Sequence, residues 1–253
     1  MAPSHDDSDA SDAVIEVRDL HKDYLLGTVP VTVLRGVNVQ VHPGEVVALM
    51  GPSGSGKSTL LNIIGCLDRP TSGQYLLGGR DVSQLTRVEQ SWVRLHYLGF
   101  IFQSFHLLGD STVLENVALP LYYAGVGRKE REERAAHLLS RVGLADRMDH
   151  RPNQLSGGQR QRVAIARSIA NGPRVLLADE PTGALDTRTG DEVLELLDTL
   201  HRESGLTIIV VTHDQEVADF AQRTIHVRDG LVVDENEDDT EDDTKEQSRA
   251  ETA

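Results

Sequence analysis

Apolar residues fall into three kinds of pattern along this chain. Over 14–20 (VIEVRDL) and 29–41 (VPVTVLRGVNVQV) apolar and polar positions alternate. That period of two belongs to strands covered on one face, because successive side chains point to opposite sides of a sheet. Shorter runs at 46–50 (VVALM), 99–103 (GFIFQ), 175–179 (VLLAD) and 207–211 (TIIVV) are predominantly apolar, as strands buried on both faces of a parallel sheet are. Between them the spacing turns helical: from about 57 to 67, near 188–203, and over most of 104–172. In RKEREERAAHLLSRVG, Ala135, Leu138, Leu139 and Val142 lie on one helical face, and Gly143 supplies a stop. Asp229-Gly230 marks a tight turn before LVV at 231–233. Buried strands alternating with helices predict an α/β fold with a mostly parallel sheet. The alternating strands before residue 42 predict an antiparallel β layer at one edge, and 104–172 an inserted helical subdomain. No repeat or linker interrupts 13–233, which predicts one domain.

The loop after the VVALM strand reads Gly51-Pro52-Ser53-Gly54-Ser55-Gly56-Lys57-Ser58-Thr59 and matches the phosphate-loop pattern G-x-x-x-x-G-K-[ST]. It stands where the chemistry needs it, after a buried strand and opening a helix. Glycines let backbone N–H groups turn inward around phosphate oxygens, and the helix start adds a favourable field for an anion. Lys57 supplies a charge to the β- and γ-phosphates, and the Ser58 hydroxyl is suited to Mg²⁺.

The VLLAD strand ends in Asp179-Glu180. Ligands of open α/β sheets bind beyond the carboxyl ends of the strands, so Asp179 should emerge beside the phosphate loop as a Mg²⁺ partner. Glu180, one residue further out, should orient and deprotonate an attacking water. Leu155-Ser156-Gly157-Gly158-Gln159 precedes the helical RQRVAIARSIA. Ser156 is an N-cap candidate, and the two glycines expose backbone donors to an anion.

Taken in order, these motifs resemble the ATP-binding subunit of ABC transporters, of which LSGGQ is the signature. The resemblance covers about 14–233 and implies a P-loop NTPase (RecA-like) core. By resemblance, Gln103 in FIFQ is the Q-loop glutamine and a Mg²⁺ partner, and Gly183-Ala184-Leu185-Asp186 is the D-loop, with Asp186 shaping the contact between two copies. His213 in VVTHD is the switch histidine that contacts the γ-phosphate and the water region. Tyr24 stacks on adenine, and Lys57 and Thr59 hold phosphates. Two copies would pack head to tail, each ATP lying between one chain's Gly51–Thr59 and the other's Ser156–Gln159, and their opening and closing would drive a separate transmembrane permease subunit. NIIGCLDRPTSG, LGFIFQSFHLL, LENVALPLYYAGV and ADEPTGALD look like the subgroup with macrolide exporters, lipoprotein-release ATPases and antimicrobial-peptide detoxification modules. The cell-division ABC ATPase is also similar, so regulation of a membrane complex without transport stays open. DNA-repair members carry long coiled-coil insertions, whereas Lys57 and Leu155 here are 98 positions apart. Segment 104–125 holds more apolar side chains than a short insertion buries. By resemblance the surplus forms a groove for a cytoplasmic coupling helix of the permease, with Phe105, Leu107 and Tyr122 as its expected lining.

Charge refines this picture. The chain carries 25 Lys and Arg against 40 Asp and Glu, a formal charge of −15. That balance argues against nucleic acid as a partner, since such proteins present a basic footprint. The acids concentrate at the ends: residues 1–12 hold four Asp and no Lys or Arg, and 234–253 hold ten acids against two bases. Both segments are too polar to offset the entropy of ordering them and are predicted to be disordered tails. Cys66, the one cysteine, excludes an intrachain disulfide, fits a reducing compartment and reads as a small buried hydrophobe. The first residues show no secretory signal pattern, and no apolar run approaches the roughly 18 residues of a membrane span. The expected location is cytoplasmic, on the inner face of the cell membrane through the permease.

Overall fold

The computed structural model describes residues 12–233. Apart from Asp12, the two acidic tails lie outside these residues. Two sheets share one core. In the first, β1 (Ile15–Leu26) pairs antiparallel with β2 (Val29–Val41) and with β4 (Ser72–Leu77), and β5 (Arg80–Asp81) extends the edge. This is the predicted antiparallel layer, with a β4–β5 hairpin added to it.

The second sheet has the order β10-β9-β3-β8-β7-β6. Its members are β3 (Val46–Met50), β6 (Leu98–Phe102), β7 (Val175–Asp179), β8 (Thr207–Val211), β9 (Arg223–Arg228) and β10 (Leu231–Val233). All are parallel except β10, which returns from β9 across the Asp229-Gly230 turn. Alternation decides what each face packs against. Val47, Leu49, Val175, Leu177, Ile209 and Val211 point into a core shared with the antiparallel sheet and with α1 (Lys57–Ile64). Val46, Leu176, Ala178, Ile208 and Val210 point the other way, onto Ile165 of α5 (Gly157–Ser168) and Val193, Leu197 and Leu200 of α6 (Thr187–Ser204). With both faces covered, β3, β7 and β8 are apolar except for Asp179 and Thr207 at strand ends. The alternating β1 and β2 have one covered face, so their patterns stay mixed.

The third cluster is the helical subdomain. It joins Val113 and Val117 of α3 (Val113–Tyr123), Ala135 and Leu139 of α4 (Arg128–Arg141), and Val163 and Ala166 of α5. Helix α2 (Arg87–Tyr97) lies against the first core through Val93. The helical reading from residue 104 requires correction at its start. Helix begins at Val113, and 104–112 is a loop in which Phe105 and His106 take φ of 57° and 48°. The Arg167 guanidinium donates to both of their carbonyls, at 2.8 and 2.6 Å, so the tertiary contact overrides the local helical spacing. Helix α1 likewise stops at Ile64, short of the expected residue 67.

Candidate functional site

Parallel pairing brings the motifs to one edge. Leu49 is in register with Val211, Val211 with Asp179, and Asp179 with Phe102. The segments leaving β3, β8, β7 and β6 therefore emerge side by side, and they carry Gly51–Thr59, His213, Asp179-Glu180 and Gln103. Sequence separations of more than a hundred residues collapse into neighbouring strand ends.

The phosphate loop is built for an anion. A Cβ at Gly51 (φ 141°) would lie 2.0 Å from the Val227 carbonyl oxygen, and one at Gly56 (φ 109°) 2.8 Å from Leu34, so side chains are excluded where the backbone must turn. Gly54 also has positive φ, at 80°. Helix α1 starts on Gly56 with no side-chain cap, which leaves first-turn N–H donors facing the loop. Lys57 is buried and donates from Nζ to the carbonyls of Gly51 and Pro52, at 2.6 and 2.8 Å. Burial holds its pKa below the usual lysine value, and the charges of Glu180 and Asp179 oppose that shift. The Ser55 hydroxyl is buried without a protein partner. Ser53 and Ser58 are exposed and Thr59 half-buried. Uncapped donors, an ammonium and an unpaired buried hydroxyl fit a polyphosphate.

Burial raises the Asp179 pKa, the charge of Glu180 raises it further, and Lys57 opposes both. The three groups thus share one field. Glu180 sits at φ 46°, a conformation rare outside glycine, and its N–H donates to the Val211 carbonyl at 2.9 Å. Its carboxylate lies 2.8 Å from the Nδ1 of exposed His213. A Cβ at Gly183 would lie 3.0 Å from Gln103 Nε2 and 3.1 Å from Glu180 Oε2, so the loop after β7 runs close past both side chains. No group of three or more His, Cys, Asp and Glu among the described residues could hold a metal by itself. The donors that suit Mg²⁺ are the Ser58 hydroxyl, the Asp179 carboxylate and the Gln103 carbonyl, a hard oxygen set that leaves room for phosphate and water.

The signature segment has separate surroundings. Ser156 caps α5 in a capping box: its hydroxyl accepts from the Gln159 N–H and its own N–H donates to Gln159 Oε1. Gly157 lies against Leu185, and a Cβ at Gly158 would meet the Thr189 methyl at 2.2 Å. The second glycine is thus required by packing on the start of α6, a reason the sequence does not display. Asp186 caps α6, accepting from Thr189 N–H at 3.1 Å and Thr189 hydroxyl at 2.7 Å, and these bonds lower its pKa. Tyr24 is on β1, its hydroxyl donating to Asp68 at 2.8 Å.

The expected lining of the apolar groove requires correction. A groove of about 860 Å³ is lined by Leu67, Val88, Trp92, Phe102, Leu119 and Tyr123 among others. Phe105 instead stacks with Arg160 at 5.0 Å, Leu107 packs into the helical-subdomain core, and Tyr122 faces Arg131 at 5.1 Å. Helix α3 buries Val113, Val117 and Leu121, a stripe of period four. That setting turns Leu119, Pro120 and Tyr123 to the groove and rotates Tyr122 away. Residues to which sequence reasoning gave no role are Asp68 and Arg167, charges outside the phosphate loop, the Asp179-Glu180 pair and the signature.

Comparison with known proteins supports the same assignment. The ABC transporter family profile matches residues 34–183. The chain is 52% identical over 223 residues to the macrolide export ATP-binding/permease protein MacB of Vibrio parahaemolyticus, covering 88% of this chain and 34% of that protein. It therefore spans about a third of the length of the macrolide export relatives. It is 53% identical to the uncharacterized ABC transporter ATP-binding protein YknY of Bacillus subtilis, covering 87% of this chain and 95% of that one. Among solved structures, a dimeric post-hydrolysis state of the ATP-binding cassette MJ0796 bound to ADP and Pi superposes with a TM-score of 0.81 at 45% identity, covering 87% of this chain and 97% of that one. With the motif residues gathered at one sheet edge and this likeness running over nearly all the described residues, the chain belongs to the ABC transporter family.

Proposed function

We propose that this chain binds and hydrolyses ATP as the motor of an ABC transporter, two copies closing around two ATP molecules. The observation that carries the reading is the convergence of Lys57, Asp179, Glu180 and His213 at the carboxyl edge of one parallel sheet. Lys57 and the uncapped start of α1 hold the triphosphate. Ser58, Asp179 and Gln103 would hold Mg²⁺, which would supply neutralisation of charge on the phosphate oxygens. Glu180 takes the proton of the attacking water, and His213 orients the Glu180 carboxylate and contacts the γ-phosphate. Tyr24 supplies the face on which adenine stacks.

The signature Ser156–Gln159 is anchored on the D-loop and α6, which suits presentation to a second copy's nucleotide, and the similar cassette MJ0796 is a dimer in its post-hydrolysis state. The motor would drive a membrane permease, at the inner face of the membrane. The naming of MacB, of which this chain matches about a third, as an ATP-binding/permease protein supports that. The groove at Leu119 and Tyr123 is the surface we assign to the permease. Export, or extrusion of a lipid or peptide, is the transport reading that the macrolide-export relatives favour. Hydrolysis of ATP by the purified chain tests the reading: it should require Mg²⁺ and fall to background in Lys57→Ala. Undiminished hydrolysis by that variant would overturn it.

A further inference from the structure

The segment between α1 and β4 was given no role in nucleotide binding, yet it is stitched to β1 beside the adenine platform. Thr71 N–H donates to the His21 carbonyl at 2.8 Å, and Asp23 N–H donates to the Thr71 hydroxyl at 2.8 Å. Lys22 Nζ donates to the Arg69 carbonyl at 2.7 Å and to the Asp68 carboxylate at 2.9 Å. Tyr24 closes the set by donating its hydroxyl to Asp68 Oδ2, an oxygen that also lies 2.9 Å from the Lys22 ammonium. Lys22 and Tyr24 are two apart on β1, so their side chains share a face, and the Lys22 ammonium lies 4.6 Å from the centre of the Tyr24 ring. Lys22 is buried, whereas Tyr24 keeps 40% of its surface exposed.

From this geometry we infer that Asp68 is a positioning residue for nucleotide binding, which fixes the Tyr24 ring in one orientation with Lys22 covering one of its faces. The inference rests on the reading of Tyr24 as the adenine platform and adds what holds that platform. A tyrosine near the end of an exposed hairpin turns freely about two side-chain bonds. Tied by its hydroxyl and covered by an ammonium, this ring offers a base only its opposite face. Asp68 stands four residues past the end of α1, with its N–H donating back to the Asn62 carbonyl of that helix at 3.1 Å. The helix whose first turn carries Lys57, Ser58 and Thr59 therefore leads at its far end into the group that sets the ring, and the Thr59 side chain also reaches the phenol. Phosphate cradle and base platform are held at a fixed separation through one short helix. The electrostatics agree: burial alone would raise the Asp68 pKa, but Lys22, Tyr24 and the Arg69 N–H bring it below the usual value.

The test compares ATP with inorganic tripolyphosphate, which has no base, by titration calorimetry on the full chain with Mg²⁺. The variants are Asp68→Ala, Tyr24→Phe, Tyr24→Ala and the double Tyr24→Ala/Asp68→Ala. Loss of an ordered aromatic contact is worth roughly three- to tenfold in affinity. Asp68→Ala and Tyr24→Phe should each weaken ATP by that order and leave tripolyphosphate unchanged, and the double variant should bind ATP no more weakly than Tyr24→Ala alone. If Tyr24→Ala weakens ATP while Asp68→Ala and Tyr24→Phe do not, the platform stands and the positioning role falls. If Tyr24→Ala has no effect, the platform reading itself falls and the inference with it. An equal loss for tripolyphosphate would make Asp68 a general support of α1 and overturn the proposal. Tyr24→Phe removes one hydroxyl from a half-exposed side chain, so it carries the test even if Asp68→Ala does not fold.

Discussion

Replacing Glu180 with Gln separates chemistry from binding. The substitution keeps the volume and an oxygen acceptor, so the 2.8 Å contact with His213 Nδ1 can persist. The backbone is tied independently by the N–H bond to Val211, so the φ of 46° is retained and the fold should tolerate the change. What disappears is the negative charge and the basicity. A positioned general base contributes typically 10²–10⁴-fold, and each factor of ten is about 1.4 kcal/mol of barrier. Turnover should therefore fall by about 10²–10⁴, a barrier increase of about 3–5.5 kcal/mol. Binding should move the other way. Glu180 acts electrostatically on both Asp179 and Lys57, and on the proposed reading it is a like charge beside the γ-phosphate, so its neutralisation should favour the bound triphosphate. Steady-state phosphate release and size-exclusion chromatography with light scattering, each with and without ATP, read both effects. The variant should elute as a dimer with ATP and as a monomer without it. Turnover within about threefold of wild type would remove Glu180 from the role of base. Lost turnover with an all-monomer profile in ATP would keep the base and refute the two-copy closure.

Two further outcomes follow from packing and burial. Gly158→Ala should destabilise by about 1–3 kcal/mol, the usual cost of overpacking, read as a lowered melting temperature, and Thr189→Ser should recover most of the loss because it removes the methyl 2.2 Å from the new Cβ and keeps the hydroxyl bonded to Asp186. Burial raises the Cys66 thiol to about 11, so it should resist alkylation at pH 8 until the chain is denatured. The same shift works on stability. Since the folded thiol ionises at higher pH than the unfolded one, its contribution is whole below the ordinary value of 9 and should be lost as pH rises from there to about 11. A Cys66→Ala variant should lack that part of the alkaline loss in chemical denaturation curves.

What the sequence made legible, and what it hid, divides along one physical line. Strands of the parallel sheet are buried on both faces, so VVALM, VLLAD and TIIVV announce themselves through composition alone. The phosphate loop is equally plain, because glycines at fixed offsets are demanded by backbone geometry. Helix α2 was not readable in the same way: its buried residues are only Gln90 and Val93, while Val88 and Trp92 are exposed toward the groove. Val88, Trp92 and Leu95 do follow helical spacing, but that stripe lines the groove and not the core. Strand β4 starts with Ser-Gly and buries only Tyr75 and Leu77, too few alternations to stand out. The loop at 104–112 misleads for another reason. Its left-handed Phe105 and His106 are held by Arg167, which is 61 positions away from His106, and no local pattern encodes so distant a partner. The same holds for Asp68. Its neighbours Lys22 and Tyr24 are 46 and 44 residues off, and its meaning appears only once β1 and the end of α1 are side by side. The candidate reacting groups were legible because chemistry fixes their types and spacing. The groups that hold them in place were not, since a carboxylate or guanidinium that orients another side chain needs only to arrive at the right distance, from anywhere in the chain.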